Sequence, residues 1–144
     1  MALNVRKAEY FYIRIENSRE RAWELLAQLA SEEVSLLAFS AVPFGPDYVE
    51  LTIFPDRSDV FIQLAKSLGL VVAGPQHALL VQGDDQLGAL ADIQRMLLEA
   101  DVEIYASSGV TDGSGHFGYV IYFKEADHER AARALGAVTL PKIA

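Results

Sequence analysis

The sequence predicts an α+β protein made of two ferredoxin-like βαββαβ modules, each an antiparallel sheet with helices on one face. Three observations lead to this fold class. Of the 144 residues, 51% are hydrophobic and 22% are charged, which supplies enough apolar surface for a core. The segments that begin at Glu16 and Asp84 align without a gap at an offset of 68 residues. In each half, segments with strand and helix periodicity follow the same order.

The repeat rests on apolar positions that coincide at this offset. Leu25 corresponds to Ile93, Leu29 to Leu97, and further matches extend through the following strand. We therefore expect two modules, residues 1–74 and 75–144, that meet near Gly74 and Pro75. Each module alone is close to the size at which a single hydrophobic core becomes marginal, so two fused modules can stabilise each other.

The first module contains β-branched and aromatic runs, which are typical of strands, and a segment with apolar residues at helical spacing. Its predicted elements, in order, are a strand at Tyr10–Ile15, a helix capped by Asn17 or Ser18, strands at Val34–Val42 and Tyr48–Phe54, a helix from Asp56 or Ser58 to Leu68 with Gly69 as its stop, and a strand at Leu70–Ala73.

The second module repeats these patterns. Its predicted elements are a strand at Ala78–Gln82, a helix capped by Asp84 or Asp85, a strand at Val102–Val110, a Gly-rich turn at 111–115, a strand at Phe117–Phe123, a helix at Glu125–Leu135, and a final strand at Ala137–Ile143. Pro141 cannot donate a hydrogen bond to a neighbouring strand, so the last strand is expected at an edge.

Composition excludes several classes of protein. The absence of cysteine removes disulfide scaffolds, thiolate metal sites and thiol catalysis. A formal charge of −8 disfavours nucleic acid, because phosphate binding depends on Lys and Arg. No apolar run reaches the length of a membrane span, and the N-terminus lacks a signal peptide's apolar stretch. We expect a soluble, cytoplasmic protein with neither a nucleic-acid nor a membrane partner.

No catalytic or metal motif emerges. His77, His116 and His128 are scattered, with no local pattern of a triad, and we expect all three at the surface. Pairs of neighbouring acidic residues also occur, and they are interpreted as helix caps and solvent-exposed charge. No spacing typical of metal ligands is present. The glycine-rich turn at 111–115 lacks the lysine of a phosphate-binding loop and is interpreted as a flexible hairpin loop. The sequence therefore predicts no enzyme, no cofactor and no metal site.

The segment Phe117–Tyr122 matches part of the aromatic signature of RNA-recognition motifs. The basic residue that should precede it is missing, and the partner strand Ala78–Gln82 lacks a stacking aromatic. An aromatic strand on a packing face explains these residues better, so RNA binding is the weakest of the alternatives.

The most distinctive segment is the strand-to-helix junction from Val81 to Leu90. Gly88 is predicted in the opening turn of the helix, where the lack of a side chain lets a small ligand approach the backbone. The N–H groups of a helix start can bind a carboxylate there. The same glycine is equally consistent with close packing between helix and sheet.

The run from Asp85 to Ile93, followed by Leu97, Ala100, Val102 and Ile104, resembles the signature of the ACT domain family, with Leu87 where proline is usual. The first module is less similar, because Glu20 stands at the glycine position and Asn17 at the acidic one. Together with the element order, the similarity covers nearly the whole chain as a tandem pair.

This resemblance implies a regulatory module that binds free amino acids between two ACT units. The strand–helix loop of one unit and the second strand of its neighbour would line the pocket. The loop residues that it implies are Gln82, Gly83, Asp84, Asp85, Gln86, Leu87, Gly88, Ala89 and Leu90, with a weaker counterpart at Glu16, Asn17, Ser18, Arg19 and Glu20. The facing strands would contribute Ala38, Phe39, Ser40 and Ala41, and Tyr105, Ala106, Ser107 and Ser108.

Within such a site, helix N–H groups and Arg19 or Arg21 would bind the ligand's carboxylate, and acidic side chains its ammonium group. The sequence thus predicts a non-catalytic sensor or regulatory protein that binds a small molecule, an amino acid above all, as a homodimer. Two modules use essentially the whole chain, so a stand-alone sensor or regulatory subunit is expected, and an enzyme is a possible partner. The alternative is a protein–protein interaction module, the regulatory subunit of an amino-acid metabolic enzyme, with no bound ligand.

Overall fold

The computed structural model describes residues 3–139, which divide into two compact units. The N-terminal unit comprises residues 9–76, and the C-terminal unit comprises residues 3–8 together with 77–139. The elements are β1 (Leu3–Glu16), α1 (Arg19–Ser31), β2 (Leu36–Phe44), β3 (Tyr48–Pro55), α2 (Ser58–Ser67), β4 (Val72–Asp84), α3 (Ala89–Glu99), β5 (Ile104–Thr111), β6 (His116–Phe123), a 3₁₀ turn (Glu125–Asp127), α4 (His128–Leu135) and β7 (Val138–Thr139). The predicted α+β class with βαββαβ modules is confirmed.

The N-terminal unit has the strand order β2-β3-β1, and both pairings are antiparallel. Ile53 on β3 pairs with Phe11 on one side and Phe39 on the other. Because side chains alternate along a strand, Phe11 and Ile13 reach the buried cluster that includes Leu25 and Leu29 of α1. On the opposite face, Tyr10 is also buried and stacks on Phe54 with a centroid distance of 5.1 Å.

The C-terminal unit has the strand order β4-β6-β5, again antiparallel at both pairings. Leu79 pairs with Ile121, and Ile121 pairs with Ser107. The start of β1 also belongs to this unit and pairs in parallel with β7, through Arg6 and Val138. Its core joins alternate residues of β4 and β6 to the buried faces of α3 and α4, among them Ile93, Leu97 and Leu135.

Two long strands differ from the sequence predictions. The strands expected at Leu70–Ala73 and Ala78–Gln82 form one continuous strand, β4. The first strand begins at Leu3 rather than Tyr10. Both β1 and β4 supply residues to both units, and Gly74 and Pro75, expected to end a module, lie inside β4. The division of the chain into two modules at residues 74 and 75, which was inferred from the sequence repeat, stays a prediction.

Helix starts are partly as predicted. Ser18 caps α1, and its Oγ accepts a hydrogen bond from Arg21 N at 3.4 Å. The N-cap of α2 is Arg57 rather than Asp56 or Ser58, and the Arg57 side chain makes no capping hydrogen bond within residues 3–139. The predicted cap at Asp84 or Asp85 is also wrong, because Asp84 ends β4 and the N-cap of α3 is Gly88.

The last predicted strand, Ala137–Ile143, is observed as Val138–Thr139, and residues 140–143 lie outside the described range. Within residues 3–139, no helix combines the length and the hydropathy that a bilayer crossing requires.

Candidate functional site

The C-terminal unit contains a cleft of about 530 Å³ at the start of α3, called the α3 cleft below. It lies between the β4–α3 loop, the end of β5 and the start of β6. Its lining residues are Asp85, Gln86, Leu87, Gly88, Ala89, Leu90, Ala91, Gly109, Val110, Thr111, Phe117 and Gly118. β4 and β5 are both antiparallel to β6, so the two strands end at the same edge of the sheet, where α3 begins.

Gly88 shapes the entrance of this cleft. Its φ of +85° lies in the left-handed region that favours glycine, and a Cβ built on it would meet no atom within 4 Å. Gly88, the N-cap of α3, has no side chain to cap the helix, and Asp92 N donates a helical hydrogen bond to Gly88 O at 3.0 Å. Within residues 3–139, the N-cap therefore offers no side-chain acceptor to the N–H groups of Leu90 and Ala91 in the first turn.

Gly109 forms the floor of the cleft. A Cβ at this position would lie 3.2 Å from Tyr119 Cδ1 and 3.7 Å from Leu90 Cδ1. Tyr119 cannot easily move aside, because its hydroxyl accepts a hydrogen bond from Gln94 Nε2 at 3.0 Å and donates one to Ser107 Oγ at 2.9 Å. Glycine at position 109 therefore keeps the floor open between strand and helix.

Backbone hydrogen bonds brace the wall of the cleft. Asp85 N donates to Gly115 O at 2.8 Å and ties the β4–α3 loop to the hairpin between β5 and β6. The carboxylate of Asp112 accepts hydrogen bonds from Ser114 N at 2.6 Å and His116 N at 3.2 Å. These backbone donors lower the pKa of Asp112 below its ordinary value. The loop interpreted from the sequence as flexible is thus held by its own hydrogen bonds.

The chemistry of the cleft is mostly apolar. Among its described lining residues, Asp85 is the only ionisable side chain. Leu87 is fully exposed and Val110 is 74% exposed, so apolar side chains project at its rim. The N–H groups of the helix start can bind an anionic group of a ligand, and the carboxylate of Asp85 can bind a cationic group. The apolar walls can contact the hydrocarbon part of the same ligand.

Six of the predicted loop residues lie together in the lining of the α3 cleft. Asp85, Gln86, Leu87, Gly88, Ala89 and Leu90 line it as one set. Gln82, Gly83 and Asp84 belong to β4 and do not line it, and Gln82 Oε1 instead accepts a hydrogen bond from Arg6 at 2.8 Å. On β5, Ser107 supports the floor through Tyr119, whereas Tyr105 and Ala106 are exposed and lie outside the lining.

The other predicted residues lie in the N-terminal unit. Ser18 acts as a helix cap, and Asn17 Nδ2 donates to Pro46 O at 3.4 Å, so both are occupied in local structure. Arg19 and Glu20 are exposed in the first turn of α1. Ala38, Phe39, Ser40 and Ala41 belong to β2. Whether these residues bind a ligand remains a prediction.

Sequence reasoning missed the end of β5 and two residues of β6, namely Gly109, Val110, Thr111, Phe117 and Gly118. A signal was present, because the second strand of a split βαβ unit runs parallel to the first and ends beside the helix start. The aromatic strand itself was interpreted correctly, since Phe117 and Tyr119 are buried against the core rather than exposed for base stacking.

The N-terminal unit has a smaller cavity, of about 130 Å³, beside α1. Its lining residues are Ile15, Arg21, Glu24, Leu25, Gln28, Leu68 and Leu70. Of the predicted sites, only Arg21 contributes to it. In residues 3–139, no group of three or more His, Asp or Glu side chains is arranged to hold a metal ion.

One sequence expectation about histidines is wrong. His128 is buried rather than exposed, whereas His77 is half-buried and His116 is exposed. His128 begins α4, and the amphipathic pattern of that helix turns it toward the core together with Ala131 and Ala132.

Both units have the βαββαβ arrangement that the sequence resemblance implied, so that resemblance is confirmed at the level of the fold. No protein-family model and no curated protein matches the chain. Solved structures do. A regulatory subunit of aspartate kinase from Thermus thermophilus, in a ligand-free form, is similar with a TM-score of 0.64 and 13% identity over 94% of this chain and 93% of that one.

Two further structures have the same fold. Protein BT0572 from Bacteroides thetaiotaomicron has a TM-score of 0.77 and 21% identity, covering 92% of this chain and 89% of its own. The structure of aspartokinase alpha and beta subunits has a TM-score of 0.62 and 16% identity, covering 94% and 95%. At these identities the comparisons establish a shared fold.

Proposed function

We propose that this chain is a non-catalytic regulatory protein whose α3 cleft binds a small metabolite, with a free amino acid as the first class to test. The observation that carries the proposal is the glycine-capped start of α3, which opens directly into a cleft of about 530 Å³. The N–H groups of Leu90 and Ala91 are suited to a carboxylate and Asp85 to an ammonium group.

The likeness to a regulatory subunit of aspartate kinase supports a regulatory role. An aspartate kinase is the first partner enzyme to test, because two of the neighbours are subunits of that enzyme. A ligand regulates such an enzyme only if it binds one conformation or assembly better than another. The cytoplasmic location stays a prediction of the sequence.

We include a homodimer in the proposal. The edge strand β2 carries no charged side chain over residues 36–44, and Val42 and Phe44 on it are exposed. Uncharged edge strands are open to pairing with another chain. In a chain of charge −8, this strand is a surface where two copies can meet without repulsion between like charges.

A thermal-shift screen against free amino acids tests ligand binding, with Gly88→Val and Gly69→Val as a matched pair. Both glycines have a left-handed φ, +85° and +71°, and a Cβ on either meets no atom within 4 Å. Both variants therefore lose about 1–2 kcal/mol of stability from the backbone conformation. Only the valine at position 88 lies in the cleft.

We expect the wild type to be stabilised according to RT ln(1+[L]/Kd), or about 2.7 kcal/mol at a ligand concentration of 100 Kd. Gly69→Val should keep this gain and Gly88→Val should lose it. Equal gains in both variants would place binding elsewhere in the molecule. A flat response of the wild type across all amino acids would contradict ligand binding.

The second candidate function is a protein-interaction module with no ligand. The exposed Leu87 and Val110 at the cleft rim favour it, since apolar side chains grouped at one place often mark a contact surface. Native mass spectrometry of the purified protein separates the two candidates. A co-purified small molecule supports the sensor, and a ligand-free dimer with a flat thermal-shift screen supports the interaction module.

A further inference from the structure

His128 is a polar side chain in an apolar setting. It is the first residue of α4 and is only 6% exposed. Within residues 3–139, neither His128 Nδ1 nor His128 Nε2 has a hydrogen-bond partner. Buried polar atoms usually have partners, so two orphaned nitrogens on one ring require a physical explanation.

Four charged or titratable groups face this ring from the elements packed against it. The His77 ring of β4 lies 5.3 Å away between centroids, and His77 Nδ1 is 3.0 Å from Glu125 Oε1 of the 3₁₀ turn. Glu129 of α4 accepts hydrogen bonds from Lys7 Nζ of β1 at 2.9 and 3.2 Å. Both nearby carboxylates are thus already paired with other residues.

A proton on His128 would therefore be poorly stabilised. Burial lowers the pKa of His128, and repulsion from His77 and Lys7 lowers it further, whereas Glu125 and Glu129 act in the opposite direction. The positive end of the α4 dipole adds to the cost of a cation at the first helical position. In the folded unit the neutral ring is the stable form.

We propose that His128 is a proton-sensitive latch: packed while neutral, it releases the start of α4 from the sheet when acid protonates its ring. The released state lets water solvate the imidazolium. Ala131, Ala132 and Leu135, which follow His128 on the buried face of the helix, lose part of their packing at the same time.

The sign of the pH dependence follows from linkage. The pKa of His128 is lowered in the folded state relative to about 6.5 in an unfolded chain, so the released state binds more protons in mild acid. The contribution of the neutral ring is complete above pH 6.5 and is lost as the pH falls below that value. Over this interval the equilibrium constant for release rises by up to about tenfold per pH unit.

Thermal unfolding of the full chain between pH 8 and pH 5 tests the latch, with His128→Phe as the variant and His116→Phe as the control. Phenylalanine keeps an aromatic ring at position 128 and removes its titration. His116 is exposed at the start of β6, where its Nδ1 lies 3.2 Å from Asp112 Oδ2. We expect the Tm of the wild type and of His116→Phe to fall between pH 6.5 and 5 by more than the Tm of His128→Phe. An equal fall in all three proteins would overturn the proposal.

If His128→Phe does not fold, a second measurement on the wild type tests the latch. In the wild type, the ring protons of each histidine report its titration by NMR. The latch requires His128 to titrate at lower pH than His116 while the protein is still folded, and a ring that stays neutral until the whole protein unfolds would contradict it. Titration of His128 at the same pH as His116, or at higher pH, would overturn the proposal.

Discussion

Gly109 and Gly118 lie on neighbouring strands of one hairpin, and alanine substitutions at the two positions isolate the steric constraint at the cleft floor. Neither residue has a positive φ, so alanine fits both backbones. At Gly118 a Cβ would meet no atom within 4 Å, whereas at Gly109 it would meet Tyr119 Cδ1 at 3.2 Å and Gly118 O at 3.5 Å. The substitutions thus differ mainly in the space available.

The magnitudes follow from two opposing effects. Replacing glycine by alanine restricts the unfolded chain and stabilises the protein by about 0.4–1 kcal/mol where the new methyl group fits. Gly118→Ala should show this gain. An added methyl group in a packed site costs about 1–3 kcal/mol, and Tyr119 is held in place by Gln94 and Ser107. For Gly109→Ala the balance is a net loss of about 1 kcal/mol.

Urea denaturation followed by far-UV circular dichroism measures both variants against the wild type. The midpoint should rise for Gly118→Ala and fall for Gly109→Ala, with an unchanged slope. If Gly109→Ala were as stable as Gly118→Ala, a methyl group at position 109 would fit beside Tyr119 and Leu90, and the floor of the cleft would not require glycine.

Two further predictions concern the C-terminal unit. Ile93→Ala removes a fully buried side chain from α3 and should cost about 2–5 kcal/mol by denaturant titration, whereas Leu98→Ala, on the exposed side of the same helix, should change stability by less than about 0.5 kcal/mol. Asp112→Asn tests the hairpin. The pKa of Asp112 is lowered in the fold, so its contribution is present above about pH 4 and is lost as the pH falls through the folded value. The wild type should therefore lose more stability than Asp112→Asn between pH 5 and pH 3 in denaturant titrations, and a larger loss in the variant would contradict this.

Local patterns predicted most of the elements. The helical spacing of Leu25 and Leu29 places α1, and the β-branched run at Tyr48–Phe54 is observed as β3, one residue longer. Gly69 follows α2 with a left-handed φ of +71°, as its position at the helix stop predicts. Patterns of this kind depend on neighbours within a few residues, so they are visible in one sequence.

Only the β4–α3 loop of the candidate site could be predicted from the sequence. The β4–α3 loop could be found because a glycine next to a helix start is a local signal, although Gly88 is the cap itself rather than a residue of the first turn. Gly109 and Tyr119, which form and support the cleft floor, are distant from that loop in sequence. Their contribution depends on strand order and register, which a single sequence does not specify.

By itself, the sequence determined the α+β class, the repeated element order and the acidic, cysteine-free chemistry, because composition and periodicity are properties of the chain. Only the tertiary structure decided that β1 and β4 each contribute to both compact units, and that His128 is buried without a hydrogen-bond partner within the described part of the chain. The physical reason is that strand pairing and burial depend on contacts between residues far apart in sequence. A local pattern allows several such arrangements, and packing selects one of them.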